Sequence, residues 1–271
     1  MSQKIMSSKL TPSKNVSSIE VRSKESTTGT FEALIEIAGE DALIVYLKQP
    51  SLVASSNKIA ALRTRVIADL GSKVVDTIPS YQSLLVIFDV FKTDHFEVKK
   101  NIRKHLTGLV PNDVNTHATS DESTDVSSKR AIELPVFYSA KSGPDLHELA
   151  THAQLSVEDV IALHQAQIYQ VFALGFAPGF AFLGEVDERI AKARLSTPRK
   201  QVPKGAVGIA DRQTAVYPAA SPGGWNLIGL CPTPLFDPEN EPHVPFQVGD
   251  SVKFYSIDEN EFIAMGGSFE Y

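Results

Sequence analysis

Apolar residues in the first half of the chain form short runs with the spacing of strands. These runs are rich in β-branched side chains and are separated by polar or turn residues such as Gly39. They predict strands at residues 31–37, 41–47, 74–78, 83–88 and 132–138. Each run is short enough to cross a small sheet once, so this part of the chain is expected to be built around a sheet.

Two stretches between these strands carry apolar residues every three or four positions and predict helices. The apolar positions are Ile59, Leu62, Val66, Ile67 and Leu70 in the first helix, and Val98, Ile102 and Leu106 in the second. The first helix is expected to begin near residues 55–57, whose side chains suit an N-cap, and to stop at Gly71. Strands packed with two helices indicate a small α+β domain over residues 31–138.

Two segments of this half lack any such pattern. Residues 1–30 are rich in Ser and Thr, and their few apolar residues are too scattered for a helix stripe or a strand face. This composition predicts a disordered tail rather than a transit peptide, because Arg22 is its only arginine. Residues 111–130 hold seven Ser or Thr and only three aliphatic residues, which predicts a disordered insertion within the first domain.

The pattern changes at residue 139. Gly143-Pro144-Asp145 suits the start of a short helix, and Ser156-Val-Glu-Asp159 resembles a capping box for a second helix ending near Gln165. Residues 171–271 then contain eleven of the sixteen Gly and ten of the sixteen Pro, with short apolar runs between them. Many short strands separated by tight corners predict a closed or nearly closed β-barrel over residues 139–271.

Composition and charge exclude several classes of function. The chain has 26 basic and 32 acidic residues, and this mild acidity gives no reason to expect binding to nucleic acid. No apolar run approaches the ~18 residues that a membrane span needs. Cys231 is the only cysteine, so the chain has no internal disulfide, and we expect a cytoplasmic location.

Several common chemical motifs are absent. The sequence has neither a Gly-x-x-x-x-Gly-Lys-Ser/Thr loop nor a Gly-x-Gly-x-x-Gly fingerprint. His147 and His152 are five residues apart, which does not match the zinc-helix spacing of four, and we expect no metal site. Ser221 lacks the glycine two residues earlier that a nucleophile elbow requires.

Three segments combine Gly and Pro with groups suited to binding. They cover residues 175–184, 197–210 and 211–229. They begin with Gly175-Phe-Ala-Pro-Gly-Phe, Thr197-Pro-Arg-Lys-Gln-Val-Pro-Lys and Asp211-Arg-Gln-Thr-Ala-Val-Tyr. Arg199 and Lys204 suit a carboxylate or phosphate, and the Ser221-Pro-Gly-Gly224 turn can offer backbone N–H groups to an anion. The alternative for each residue is that Gly and Pro only form barrel corners.

These segments resemble the allophanate hydrolase subunit 1 family, which includes the B subunit of 5-oxoprolinase and the Kip-type kinase inhibitors. We assign the resemblance to subdomains A and B of the carboxyltransferase domain, and it covers residues 31–110 and 131–260. Matching stretches also include Gly143-Pro-Asp-Leu146 and Ile78-Pro-Ser-Tyr-Gln-Ser-Leu-Leu85. The chain departs from the family pattern at five positions, which are Phe182, Ala206, Asp211, Ala215 and Leu230.

The resemblance implies a fold and an activity. It implies an α+β first domain, a cyclophilin-like β-barrel second domain, and a subunit-2 partner, with the A subunit of 5-oxoprolinase as a possible third component. Together such subunits open 5-oxo-L-proline to L-glutamate with ATP, which we expect to bind with the partner, so the chain is expected to be inactive alone. The sequence has no Met-Lys-Met biotin site, because its methionines are Met1, Met6 and Met265.

Candidate roles follow for a small-molecule substrate. Arg199 and Lys204 would hold its carboxylate, and the turn from Ser221 through Gly223 and Gly224 would orient the lactam. Gln213 and Tyr217 would act in catalysis beside Trp225. We expect Arg199, Gln213, Tyr217, Ser221 and Trp225 to surround one cleft of the barrel.

His164 has two interpretations, proton transfer or an exposed position at a helix end. For the whole chain the alternative function is a regulatory protein that inhibits a sensor histidine kinase. A third possibility is urea or allophanate metabolism with a biotin-bearing partner.

Overall fold

A computed structural model describes residues 19–21, 32–107 and 131–269. Its first sheet has the order β1-β2-β3-β5-β4, and every neighbouring pair is antiparallel. The strands are β1 (Ile19–Val21), β2 (Glu32–Ile37), β3 (Ala42–Lys48), β4 (Val74–Pro79) and β5 (Ser83–Phe88). Two helices, α1 (Leu52–Leu70) and α2 (His95–Thr107), pack on this sheet and complete the predicted α+β domain.

The two helices of this domain follow the predicted apolar spacing. Val98, Ile102 and Leu106 are buried on α2. The first helix begins one turn earlier than expected, because the Ser51 hydroxyl accepts a hydrogen bond from the Ala54 N–H at 3.1 Å. It stops at Gly71 as predicted.

The prediction of a disordered tail is wrong at residues 19–21. This segment forms β1 and pairs antiparallel with β2, with Ile19 opposite Ile35 and Val21 opposite Ala33. An edge strand can be held by backbone hydrogen bonds to its neighbour, so it needs no long apolar pattern of its own. The rest of the predicted tail and the predicted insertion at 111–130 lie outside the described residues.

The second sheet has seven strands in the order β13-β10-β11-β8-β7-β14-β6. They are β6 (Ile132–Val136), β7 (Tyr169–Leu174), β8 (Ala181–Gly184), β10 (Ala206–Ala210), β11 (Gln213–Val216), β13 (Asn226–Leu230) and β14 (Ser251–Ser256). All neighbouring pairs are antiparallel except β14 with β6. A separate two-stranded sheet pairs β9 (Arg199–Val202) with β12 (Ser221–Gly223).

The strand predicted at 132–138 belongs to the second sheet and not to the first domain. β6 runs parallel to β14, with Leu134 opposite Phe254, and both residues are buried in the core of the second sheet. A parallel pair needs no local turn, so the sequence around β6 gave no sign of its partner. The predicted boundary at residues 138 and 139 is therefore too late in the chain, and the second unit already includes Ile132.

One backbone bridge brings the two ends of this sheet together. The Phe137 N–H donates to the Leu230 carbonyl at 2.8 Å, and the Leu230 N–H donates to the Phe137 carbonyl at 3.0 Å. Because Phe137 follows β6 and Leu230 ends β13, this bridge nearly closes the sheet into a barrel and confirms the predicted architecture. A second apolar cluster covers the outer face of β10 and β13, which explains why every residue of both strands is buried.

Three short helices complete the second unit. They are α3 (Leu146–Ala153), α4 (Val157–Ala166) and α5 (Glu259–Ala264). The predicted capping box at Ser156 is present, and Asp258 forms another at the start of α5. Within residues 19–21, 32–107 and 131–269, no helix combines the length and apolar character needed to cross a membrane.

Gly205 tests how tightly the turn before β10 is packed. Its φ is +82°, its N–H donates to the Tyr217 carbonyl at 2.8 Å, and an added Cβ would lie 2.3 Å from the Cys231 carbonyl oxygen. Gly205→Ala should lower the free energy of unfolding by at least ~2 kcal/mol more than the matched change Gly249→Ala, because the backbone must move. Gly249 also has a positive φ, of +95°, but no described atom within 4 Å of an added Cβ.

Urea unfolding of both variants measures this difference. Gly249→Ala should show only the ~1 kcal/mol cost of an alanine with positive φ. Equal losses in the two variants would contradict the close packing of Gly205 against Cys231.

Candidate functional site

The strongest candidate site is a small cavity of about 130 Å³ walled by aromatic rings, which we call the aromatic cup. It is lined by Phe176, Phe180, Phe182, Arg194, Tyr217, Pro222, Gly223, Gly224 and Trp225. Two of the three segments singled out in the sequence supply almost all of this lining. Two of these segments therefore converge on the cup, whose lining includes Tyr217, Gly223, Gly224 and Trp225 from the residues that the sequence suggested.

Phe180 is the centre of the cup's aromatic wall. Its ring centroid lies 4.8 Å from that of Phe182, 5.4 Å from Tyr217 and 5.8 Å from Trp225. The contacts with Tyr217 and Trp225 are edge-to-face, which is a favourable geometry for aromatic pairs. Phe176 stands at the outer side of this group and is 65% exposed. The wall is thus packed within and open at one side.

The Gly223-Gly224 turn lies directly over the Tyr217 phenol. A Cβ on Gly223 would lie 2.4 Å from the Tyr217 hydroxyl, so only glycine allows this approach. The Gly224 carbonyl accepts a hydrogen bond from the Leu195 N–H at 2.7 Å and holds the neighbouring loop in place. Gly223 and Gly224, which the sequence analysis assigned to the substrate site, both line the cup.

Arg194 is the cation of the aromatic cup, and the sequence analysis missed it. Its guanidinium lies 5.7 Å from the centre of the Trp225 ring, within the range of a cation–π contact. In the described part of the chain it forms no ion pair. The one feature of the sequence that could have pointed to Arg194 is its position three residues before the Thr197-Pro-Arg motif, because residues close in sequence often belong to the same site.

Tyr217 is a hydrogen-bonding group and not a base at neutral pH. Burial raises the pKa of its phenol, while the charge of Arg194 and a hydrogen bond from the Trp225 backbone oppose this effect. The phenol therefore keeps its proton and remains a potential donor.

Arg199 does not line the cup, contrary to the sequence prediction. Its guanidinium donates to the Asp145 carboxylate at 2.6 Å and to the Trp225 carbonyl at 3.3 Å. The second Asp145 oxygen accepts the Leu227 N–H at 2.6 Å. Asp145 is only 5% exposed, so Arg199 is bound to a buried carboxylate and is not free for a substrate.

Lys204, Gln213 and Ser221 also lie outside the cup lining. Lys204 is exposed on the turn before β10. Gln213 pairs with Gly184 at the start of β11, about 13 Å along the chain from Tyr217 at ~3.3 Å per residue. Ser221 pairs with Val202 in the two-stranded sheet, and its buried hydroxyl has no partner among the described residues. Of the five residues expected around one cleft, Tyr217 and Trp225 are the two that meet.

His164 is a core residue, so both interpretations of it from the sequence are wrong. It is fully buried and stacks on Phe254 with ring centroids 4.6 Å apart. The Thr214 hydroxyl donates to the Gly208 carbonyl, so it accepts from His164 Nε2, and Nδ1 is left to accept from the Tyr138 hydroxyl at 2.8 Å. Burial lowers the pKa of His164 to about 3, so the ring is neutral and cannot reach a substrate.

A second, larger cleft of about 790 Å³ lies between α1 and the barrel. Its charged residues pair with one another, since Arg212 contacts Glu185 at 3.3 Å and Glu188 at 3.0 Å, and Arg189 contacts Asp187 at 2.8 Å. Paired charges leave little to recognise a charged ligand. The described residues also contain no group of three or more His, Cys, Asp or Glu arranged to hold a metal ion. The aromatic cup is therefore the better candidate.

The segments that form the aromatic cup lie within a region that matches a known protein family. The family model described as carboxyltransferase domain, subdomain C and D, matches residues 33–246, a range that includes every residue of the cup. This match corrects the assignment to subdomains A and B made from the sequence motifs.

The chain is also similar in sequence to curated proteins that are named as B subunits of 5-oxoprolinase. The chain is 42% identical to the 5-oxoprolinase B subunit of Bacillus subtilis over 193 residues, which cover 70% of this chain and 78% of that protein. It is 36% identical to the 5-oxoprolinase B subunit of Escherichia coli O157:H7 over 221 residues, which cover 80% and 93%. These alignments extend well beyond the motifs that the sequence analysis quoted.

Two solved structures are similar in fold. The protein designated TTHA0988 matches with a TM-score of 0.65 and 30% identity, over 80% of this chain and 40% of that one, so this chain spans less than half of its length. Kluyveromyces lactis urea carboxylase matches with a TM-score of 0.69 and 17% identity, over 94% of this chain and 24% of that one. The second likeness shows a shared fold.

The ion pair between Asp145 and Arg199 should be important for stability. Asp145→Asn removes the charge that a partly buried guanidinium faces, so the free energy of unfolding should fall by about 3 kcal/mol. The matched change Glu259→Gln breaks the pair with Lys141, in which both side chains are about half exposed, and should cost less than ~1 kcal/mol. Urea unfolding compares the two, and similar small losses would show that the Asp145 pair contributes no more than a surface pair.

His164 should make the protein sensitive to mild acid. Its pKa is about 3 in the folded state against about 6.5 when exposed, so the unfolded state takes up a proton first as the pH falls. Stability is therefore retained above pH 6.5 and lost below it, by up to ~1.4 kcal/mol per pH unit. Urea unfolding at pH 6.5 and pH 5 should show this loss in the native protein and a smaller one in His164→Gln. The same pH dependence in both proteins would contradict a buried neutral His164.

Proposed function

The chain belongs to the family of the carboxyltransferase domain, subdomains C and D, and on that premise we propose that it is the B subunit of an ATP-dependent 5-oxoprolinase. Such an enzyme opens the ring of 5-oxo-L-proline to give L-glutamate. The observation that carries the proposal is the 42% identity to a 5-oxoprolinase B subunit over 70% of this chain. The comparisons offer no support for the alternative of a kinase inhibitor.

Ring opening is difficult because the lactam is a resonance-stabilised amide. Water adds its oxygen to the ring carbonyl carbon, the carbon–nitrogen bond breaks, and the nitrogen leaves with a proton. ATP hydrolysis would drive this step through activation of the carbonyl, and developing charge on its oxygen must be stabilised. The part of this chain would be to hold the ring in a dry aromatic environment, where electrostatic interactions are stronger than in water.

The aromatic cup has the size and the lining needed to hold the lactam ring. Phe180, Phe182 and Trp225 present apolar ring faces and edges to a cavity of about 130 Å³, the scale of a small cyclic compound. Tyr217 and the Gly223-Gly224 turn border the same space and carry hydrogen-bonding groups. A cup with a single arginine has too little positive charge for the triphosphate of ATP, so we propose that ATP binds with the partner protein.

The relatives are named as subunits, which implies an assembly of several chains. We propose a subunit-2 homologue as the direct partner and the A subunit of 5-oxoprolinase as a further component. The same proposal holds that this chain is inactive alone and works in the cytoplasm.

Co-expression tests the function. This chain should be purified with the subunit-2 homologue and the A subunit, and both glutamate formation and ATP hydrolysis should be measured. We expect both to depend on 5-oxo-L-proline and on the presence of all components, with the complex lacking this chain as the control. An assembled complex that forms no glutamate would overturn the function, and 5-oxoproline-stimulated ATP hydrolysis by this chain alone would overturn the division of roles.

A further inference from the structure

Arg194 is held beside the cup's tryptophan, because hydrogen bonds fix the backbone on both sides of it. The carbonyl of Ala193 accepts from the side-chain amide of Asn226 at 3.0 Å. The N–H of Leu195 donates to the carbonyl of Gly224 at 2.7 Å. Both partners are direct chain neighbours of that tryptophan, so the arginine passes the cup at a fixed place.

Asn226 anchors this arrangement in the barrel. It is fully buried on β13, and its amide also donates to the Ile209 carbonyl of β10 at 3.1 Å. One buried side chain therefore joins two barrel strands to the residue that precedes Arg194. A side chain on backbone that is already fixed loses less conformational freedom when it binds a ligand, and this favours affinity.

Arg194 offers the cup a positive charge that a ligand can reach from solution. The residue is exposed and also lines the cup, and its guanidinium lies 5.7 Å from the centre of the Trp225 ring. It is the only charged residue among the described residues that line the cup. In the described part of the chain it forms no ion pair, whereas Arg199 is bound to Asp145. The cup thus combines one unpaired cation with an apolar ring.

We propose that Arg194 binds the carboxylate of the substrate and makes the aromatic cup selective for small cyclic anions. The ring of the ligand packs against Trp225, while its carboxylate pairs with the guanidinium at the solvent-facing side. A guanidinium is suited to this task, because its planar N–H groups match the two oxygens of a carboxylate. No acidic residue of the described lining opposes the anion. The identity of the ligand as 5-oxo-L-proline rests on the proposed function.

Trp225 reports on binding, because it is the only tryptophan of the chain and lines the cup. The full chain should be titrated with 5-oxo-L-proline while the tryptophan emission is recorded. The matched probe is 5-oxo-L-prolinamide, in which a neutral amide replaces the carboxylate. We expect a saturable change with the acid and binding at least ~10-fold weaker with the amide, because the charge-assisted hydrogen bonds are lost. Equal binding of the two compounds, or no saturable change with the acid, would overturn the inference.

Arg194→Ala separates recognition of the carboxylate from a structural role. Its affinity for 5-oxo-L-proline should fall at least ~10-fold, to that of the amide, while its affinity for the amide stays native. Arg194→Lys should lie in between, since lysine keeps the charge and loses the planar fork. Native affinity for the acid in Arg194→Ala, or an equal loss for both compounds, would overturn the inference, because the arginine would then not recognise the carboxylate.

Arg212→Ala is the matched control, because it makes the same change in the larger cleft. The Arg212 side chain is 47% exposed and pairs with Glu185 and Glu188, so its loss should leave both the fold and the affinity for 5-oxo-L-proline nearly unchanged. Weaker binding of the acid in Arg212→Ala, together with native binding in Arg194→Ala, would move the carboxylate to the larger cleft and overturn the inference.

The assembled complex distinguishes a failure of this inference from a failure of the proposed function. In the complex, Arg194→Ala should raise the KM for 5-oxo-L-proline at least ~10-fold, with a smaller change in kcat, because a binding contact is lost. Native kinetics in Arg194→Ala would overturn the inference and leave the function standing. A complex that never opens 5-oxo-L-proline, built from a chain that still prefers this acid to its amide through Arg194, would overturn the function and leave the inference standing.

Discussion

The aromatic cup depends on one buried carboxylate. Asp145 accepts the Arg199 guanidinium at 2.6 Å and the Leu227 N–H at 2.6 Å, and Arg199 also binds the Trp225 carbonyl. These contacts join the start of α3, strand β9 and strand β13, which are far apart in sequence. The backbone from the Trp225 carbonyl to the Leu227 N–H is held in this way, so the cup wall is positioned by a charge that does not line the cavity. A buried carboxylate requires such complete pairing.

The well-packed strands of the barrel hold the Asp145–Arg199 ion pair in place. The bridge between Phe137 and Leu230 brings the edges of the seven-stranded sheet together, and apolar clusters lie on both sides of β10 and β13. The cup therefore sits against strands that are fully buried and well packed. Through Tyr81, the first domain adds a ring contact to Phe182 from outside the barrel, with centroids 6.3 Å apart.

Periodic patterns predicted most elements, and long-range contacts explain what they could not predict. Apolar spacing located β2 to β5 and both helices of the first domain, because local spacing determines which face is buried. It could not show that β6 pairs with β14, or that Arg199 meets Asp145 at a sequence distance of 54 residues. The sequence also makes His164 look like a reactive group, since nothing local reveals its burial beneath Phe254.

The central claim is that the aromatic cup, and not the larger charged cleft, receives the substrate. A crystal structure of the assembled complex with 5-oxo-L-proline tests this claim most directly. The account predicts a ligand ring against Trp225, with its carboxylate at hydrogen-bond distance, about 3 Å, from the Arg194 guanidinium. A ligand bound in the cleft beside Glu185 and Arg212, or wholly within a partner protein, would contradict it.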